Sequence, residues 1–306
     1  MRTVVAIVVA LPWVVWALLR TLGVELSFPL VAAISFTPYA ALTSPLPVLA
    51  ALALRRWAVA AVAALAAISL GLAMVPRAVA GPQPEAGGPR LVVMTSNLWL
   101  GQADADAVLR VAREHDVDVL SVQELRPRMM ERLGEAGARE QFPHRAVVPE
   151  RGAGGLGVYA RRPVDEVGRA DVRIAVPGAP TVRVTAVHPR PPVYAAAAPV
   201  WRSALAALPG SDSRGDVQIL AGDFNATFDH PEFRALVGRG YVDAADAVGD
   251  GLKPTWPAAP RKRRALPLTI DHILVDRRVR VERVSVVKIP RSDHRVVIAE
   301  LRLPSD

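Results

Sequence analysis

The chain has 306 residues, 51% of them hydrophobic, and a formal net charge of +8 at pH 7. It contains no cysteine, which excludes disulfides, thiolate metal sites and cysteine nucleophiles. The mean hydropathy of +0.25 is high for a purely soluble protein, and the positive balance suits an anionic partner: nucleic acid, lipid headgroups or phosphorylated small molecules.

The apolar residues crowd the first quarter. Three apolar segments, 3–19, 26–54 and 57–75, follow one another. A spanning helix needs roughly 20 apolar residues, and 57–75 fits best because it holds no charge and no proline. Segment 26–54 carries Pro29, Pro38, Pro45 and Pro47, so it reads as a kinked span or one ending near Pro45. Segment 3–19 is short, with Arg2 and Arg20 just outside its ends. A secretory signal followed by buried helices is the competing reading, and Ala78-Val79-Ala80 resembles a cleavage site. A signal, however, has one short apolar region rather than three long ones. Arg55 and Arg56 between the second and third segments belong in the cytoplasm. That puts the N-terminus inside and everything after residue 75 outside, with Arg77 as the dissenting charge. Residues 1–76 therefore read as an anchor with three transmembrane helices. Residues 77–89, rich in Pro, Gly and Ala, read as an exposed linker.

From residue 90 the pattern becomes that of a globular domain, 90–306. Strands are predicted at 91–96, 117–123, 156–160, 182–188, 217–221, 269–275, 279–287 and 295–303, and helices at 103–115, 127–138, 195–208 and 231–237. This mixture implies one α/β domain with a large sheet content.

Polar residues collect where the strands end. Asn97 follows the first, Gln123 and Glu124 the second, His188 the fourth, and Gly222-Asp223-Phe224-Asn225 the fifth. Asp271-His272 lies within the sixth, and Ser292-Asp293-His294 precedes the last. Taken singly, each is an ordinary turn, cap or loop residue. Together they supply carboxylates, side-chain amides and imidazoles without a thiol, a donor set that suits Mg2+ or Mn2+. A carboxylate can take a proton from water, and a His held by an Asp can donate one.

This ordered set resembles the endonuclease/exonuclease/phosphatase superfamily, which includes pancreatic DNase, abasic-site endonucleases, neutral sphingomyelinases and inositol polyphosphate 5-phosphatases. The resemblance runs from Leu91 to about Leu303. It implies an α/β fold of DNase I type, a four-layer α/β/β/α sandwich, here preceded by three transmembrane helices. It also implies Glu124 as the principal metal ligand with Asn97 beside it, and Asp293 supporting the metal region. Asp223, helped by Asn225, would orient or deprotonate water. His188 and His294 would contact the scissile phosphate, with Asp271 orienting His294. Where abasic-site endonucleases carry an acidic residue two positions after the first Asn, this chain has Trp99.

Trp256 is a candidate to stack on substrate, and Arg261, Arg263 and Arg264, with Lys262, to bind a phosphate or headgroup; a packed Trp and a solvated loop are the plain alternatives. His272, His115 and His144 read as structural. The implied activity is a membrane-anchored, metal-dependent phosphoesterase. Its substrate would be a phosphate ester or pyrophosphate, lipid-linked in one version, at the outer face of the membrane. An extracellular nuclease acting on DNA and a non-enzymatic membrane module are the alternatives, and no protein partner is expected.

Overall fold

A computed structural model describes all residues except 25–26 and 259–265. Arg261, Lys262, Arg263 and Arg264 lie outside the described residues. The chain opens with α1 (Arg2–Leu22). The interrupted stretch α2 (Leu30–Ala33), a 3-10 turn (Ile34–Phe36), α3 (Thr37–Thr43) and α4 (Pro45–Ala53) follows, and then α5 (Trp57–Ala78). The segment 30–53 bends by 48° at its break, where Ser44 and Pro45 meet. Pro45 and Pro47 lack the N–H groups that would continue the ladder. α5 runs past its predicted end and carries Pro76 within its last turn.

α1 and α5 are long enough to cross a membrane, and the bent pair counts as a third candidate. At 1.5 Å per residue, α1 is about 31 Å long, close to the thickness of a bilayer core. Large apolar side chains stand outward on these helices. Val4, Val8, Leu65 and Leu72 are each more than 60% exposed, as side chains that face lipid rather than water would be.

The remaining elements are β1 (Arg90–Asn97), α6 (Ala105–Glu114), β2 (Val119–Gln123), α7 (Pro127–Glu135), α8 (Ala138–Gln141), β3 (His144–Val148), β4 (Leu156–Ala160), β5 (Val164–Gly168), β6 (Asp171–Ile174), β7 (Val182–Val187), α9 (Ala197–Ala207), β8 (Val217–Asp223), α10 (Pro231–Gly238), β9 (Tyr241–Asp243), α11 (Ala244–Ala247), β10 (Asp271–Asp276), β11 (Arg280–Lys288) and β12 (Arg295–Arg302). They build two six-stranded sheets, β11-β12-β1-β2-β4-β3 and β5-β6-β7-β8-β10-β9. Side-chain alternation fixes the layers. Leu91 and Val93 of β1, Ile219 of β8 and Ile273 of β10 fill the core between the sheets. Val92 and Met94 face outward onto Val108 and Leu109 of α6, whereas Leu220 and Leu274 face Trp201 of α9 and Phe233 of α10. The architecture is thus a four-layer α/β/β/α sandwich. Asp104 caps α6 by accepting the Ala107 amide at 2.9 Å, as an N-cap carboxylate should.

The apolar helices do not trail from this sandwich. Val31 and Ile34 belong to the same buried cluster as Trp201 and Phe233. Asp229, with a fully buried side chain, accepts from Arg20 Nε at 2.9 Å and from Arg77 Nη1 at 3.0 Å. Arg20 sits in the last turn of α1 and Arg77 in the last turn of α5. Both helices therefore deliver their C-terminal ends to one carboxylate, and Arg2, Arg55 and Arg56 lie at the opposite ends. The residue read as a dissenting exposed charge, Arg77, is in fact buried and neutralised. The stretch read as an exposed linker is partly docked: Gly81 N bonds Ala247 O, and the Gln83 amide joins Ala247 O at 3.0 Å and Val281 N at 3.2 Å.

Candidate active site

The strand register places the polar residues along one edge of the sandwich. β1 and β2 run parallel with Asn97 opposite Gln123, so Glu124 leaves β2 just beyond Asn97. β8 and β10 are antiparallel with Asp271 opposite Asp223. β7 and β8 run parallel with Val187 opposite Gly222, which sets His188 beside Asp223. A Cβ on Gly222 would collide with the Val187 carbonyl oxygen. Only glycine lets these strands approach so closely there.

The side chains converge accordingly. Asn97 Nδ2 donates to Glu124 Oε1 at 3.2 Å and to Asp223 Oδ2 at 3.0 Å, and Asn97 Oδ1 accepts the Trp99 amide at 2.9 Å. Glu124 Oε2 accepts the Leu100 amide at 2.6 Å. Asp223 Oδ1 accepts the Asn225 amide at 2.8 Å, and Asn225 Nδ2 donates to Pro189 O at 3.0 Å. Trp99, Leu100, Glu124 and Asn225 all have positive φ, between 46° and 57°. Such left-handed conformations cost free energy in non-glycine residues and gather where side chains must be aimed.

Two imidazoles face the same carboxylate. His188 Nδ1 lies 3.0 Å from Ala153 O, so that nitrogen carries the proton, and Nε2 points to Asp223 Oδ2 at 3.7 Å and Glu124 Oε1 at 3.8 Å. His294 Nδ1 bonds the Asp271 carboxylate at 2.9 and 3.1 Å, leaving Nε2 at 3.7 Å from Asp223 Oδ2. Burial opposes charge on His294, but Asp271 and Asp223 outweigh it and lift its pKa to about 10. Asp223 is pushed upward, first by burial and then by Asp271, against the pull of His294 and His188. Thr255 steadies Asp271: its Oγ1 accepts the Ile270 and Asp271 amides at 3.1 Å each.

Three carboxylates, Glu124, Asp223 and Asp293, thus line one cavity, the first two joined through Asn97. Asp293 Oδ2 accepts from Trp256 Nε1 at 3.4 Å. Its Oδ1 is buried without a hydrogen-bond partner among the described residues, and burial raises its pKa. A buried carboxylate oxygen with no donor is costly, and an oxygen-rich set of this kind is what a hard divalent cation satisfies. Asp223, Asp271 and His294 also lie close enough together to hold an ion. His294 Nδ1 is already bonded to Asp271 there, which is the geometry of a carboxylate–imidazole pair.

A cavity of about 560 Å³ joins Glu124, His188, Asp223, Asn225, Trp256, Asp293 and His294. Asn97 and Asp271 stand directly behind it, held to Asp223 and His294. Arg261, Arg263 and Arg264 are the only sequence-predicted site residues outside this description. Among the lining residues that escaped the sequence reading, Ala32, Ser35 and Phe36 come from the apolar N-terminal quarter. The only signal that could have found them is the proline-interrupted segment, which reads as a break at membrane depth. His272 is structural as expected. Its Nδ1 donates to Asp243 Oδ2 at 2.8 Å and its Nε2 to Ala226 O at 3.0 Å, and with two acceptors it is held as the imidazolium.

A sequence model of the Endonuclease/Exonuclease/phosphatase family matches residues 94–294. Among solved structures, an endonuclease/exonuclease/phosphatase from Beutenbergia cavernae is 22% identical, with a TM-score of 0.54 over 70% of this chain and 72% of that one. A family protein from Bacteroides thetaiotaomicron is 16% identical, with a TM-score of 0.50 over 71% and 98%. D. rerio TDP2, solved with a single-strand DNA product, is 14% identical, with a TM-score of 0.52 over 69% and 98%. No curated protein sequence matches. At these identities the structural likeness speaks for the fold alone. The sequence match across the catalytic edge carries the assignment: the chain belongs to the Endonuclease/Exonuclease/phosphatase family, whose members hydrolyse phosphate esters.

Proposed function

We propose that this protein is a membrane-anchored, divalent-metal-dependent phosphoesterase whose catalytic domain, 90–306, works at the outer face of the membrane. The observation that carries the reading is the convergence of Glu124, Asp223, Asp293, His188 and His294 in one cavity. Glu124, Asn97 and Asp293 are the residues to hold Mg2+ or Mn2+, which when bound would neutralise charge on the phosphoryl oxygens. Asp223, aimed by Asn97 and the Asn225 amide and biased by burial toward accepting a proton, takes one from the attacking water. The water oxygen bonds phosphorus as the bond to the leaving oxygen breaks. His294, kept protonated by Asp271, presents its Nε2–H to the phosphoryl oxygens, and His188 lines the same cavity. Fixed donors of this kind stabilise developing charge without reorganising.

The test is phosphate release by the full-length protein in lipid nanodiscs, with Mg2+ or Mn2+, on a polyprenyl phosphate and on plasmid DNA. Metal-dependent release from the lipid, with little nicking, is expected. A DNA enzyme makes several phosphate contacts and loses affinity steeply with salt. Efficient, salt-sensitive nicking without lipid turnover would favour the nuclease reading instead.

The orientation rests on charge. Arg2, Arg55 and Arg56 stand at the helix ends remote from the sandwich, where positive residues keep to the cytoplasm, while Arg20 and Arg77 on the near side share the buried carboxylate of Asp229. A reporter that fluoresces only in the cytoplasm, fused after Asp306, should stay dark, and a bright fusion would reverse the topology.

A further inference from the structure

The apolar N-terminal quarter contributes part of the wall of the catalytic cavity. Phe36 lines it together with Ala32 and Ser35, and Phe36 also lines a second cavity of about 300 Å³ with Pro12, Trp13, Trp16, Tyr39 and Ala40. The two spaces thus meet at one ring. The second lies between α1 and α3. From Phe36 its lining runs down α3 to Thr43, and on α1 from Trp16 back to Pro12, in both cases away from the sandwich. Seven residues of helix make this tract about 10 Å long.

Its walls are apolar for a definite reason. Trp13 Nε1 donates to Thr43 Oγ1 at 3.1 Å, Trp16 Nε1 to Thr37 Oγ1 at 3.0 Å, and the Tyr39 hydroxyl to Pro267 O at 2.8 Å. Each aromatic has its polar handle committed to the protein, so ring faces are what remain to the groove. The Tyr39 bond also ties α3 to the catalytic domain, which holds the groove in line with the site. The catalytic cavity itself is two-sided. Its lining combines the polar Glu124, Asp223 and His294 with the apolar Pro191, Pro192, Val193, Leu268 and Ile270.

We propose that this groove seats the hydrocarbon chain of the substrate, which makes the substrate class a phosphate ester of a long aliphatic alcohol; the inference rests on the phosphoesterase reading above. The Phe36 ring, shared by the two cavities, commits the groove to this occupant. A chain entering at Phe36 carries its phosphate to the carboxylates and imidazoles, whereas a small soluble ester leaves the aromatic tract unused. A chain already in lipid gains little hydrophobic free energy by moving into the groove. What it gains is packing against fixed rings and one orientation of its headgroup, so the effect falls on kcat/KM.

Two measurements test this, both on the full chain in phosphatidylcholine nanodiscs with Mg2+ or Mn2+. In the first, n-alkyl monophosphates from butyl to hexadecyl are compared by phosphate release, and kcat/KM is expected to rise at least about tenfold along the series. Ala40→Trp fills the groove and should collapse that ratio to within about threefold, whereas Leu49→Trp, on the outward face of α4, should keep it. An unchanged ratio in Ala40→Trp overturns the proposal. Absence of hydrolysis of every ester would sink the phosphoesterase reading, and the second measurement, which needs no turnover, would still judge the groove. There a hexadecyl monophosphate with a photoreactive chain end is crosslinked to the wild-type protein. Label on Trp13, Trp16 or Tyr39, competed by unlabelled hexadecyl monophosphate but not by added phosphatidylcholine, supports the chain seat. Label spread over the outward residues Leu11, Leu18 and Leu65, or competed equally by phosphatidylcholine, rules it out.

Discussion

Glu124→Gln is expected to lower kcat by about a thousandfold or more, equivalent to about 4 kcal/mol of transition-state stabilisation, while the protein stays folded. The substitution keeps the volume of the side chain and one of its two acceptors. The acceptor lost, from either Leu100 N or Asn97 Nδ2, costs on the order of 1 kcal/mol, a small share of a large domain's stability. What disappears is a ligand charge beside Asp293, whose Oδ1 has no hydrogen-bond partner among the described residues. Turnover, thermal melting and Mn2+ binding should be measured on the same preparation. The expected pattern is lost activity, weakened Mn2+ binding and a near-native melt, with wild-type turnover abolished by EDTA and restored by Mg2+ or Mn2+. Wild-type activity in the variant, or full activity in EDTA, would remove the metal from the mechanism.

Asp229→Ala should destabilise the junction between helices and sandwich by about 3–5 kcal/mol, the usual penalty for stripping one partner from a buried ion pair. Arg77 has 4% of its side chain exposed and Arg20 15%, so neither guanidinium can recover full hydration when the carboxylate goes. Arg234 adds to the strain because its guanidinium already spans Asp229 O and Arg20 O. Asp229→Asn, which keeps the shape and one acceptor, should fall between wild type and Ala. Hydrogen exchange gives the readout: amides of residues 227–234 and the last turns of α1 and α5 should lose protection together and before the sheets do. Unaltered protection in Asp229→Ala would mean that the apolar contacts of Val31 and Ile34 alone hold the two parts together.

The sequence carried much of the catalytic edge because the chemistry and the local geometry coincide there. Most of the candidate residues sit at or just beyond a strand end, and strand ends are visible as apolar runs such as 217–221 stopping at Gly222-Asp223. The Asp271 and His294 positions could be placed for the same reason. The weaker strands β3, β5, β6 and β9 were not predicted. Their apolar pattern is short or, in β5, mostly exposed, so pairing with a neighbour rather than residue preference makes them strands. The end of α5 was misplaced by three residues because Pro76 reads as a stop, although α5 continues through it.

Residue type and order alone determined the apolar quarter, the α/β class of the rest and the carboxylate, amide and imidazole set, since these depend on hydrophobic period and on which atoms can bind a proton or a cation. Tertiary structure decided what no local pattern encodes. It set Arg20 and Arg77 on one buried carboxylate more than 150 residues away in sequence, it left Asp293 Oδ1 without a donor among the described residues, and it brought Phe36 into the wall of the candidate site's cavity. Such contacts join segments whose individual sequences are unremarkable as membrane helix, linker or loop. Their meaning arises only when the packing of α1, α3 and α5 against the sandwich removes water from between them, because burial is what makes a charge need a partner and an apolar ring need a neighbour.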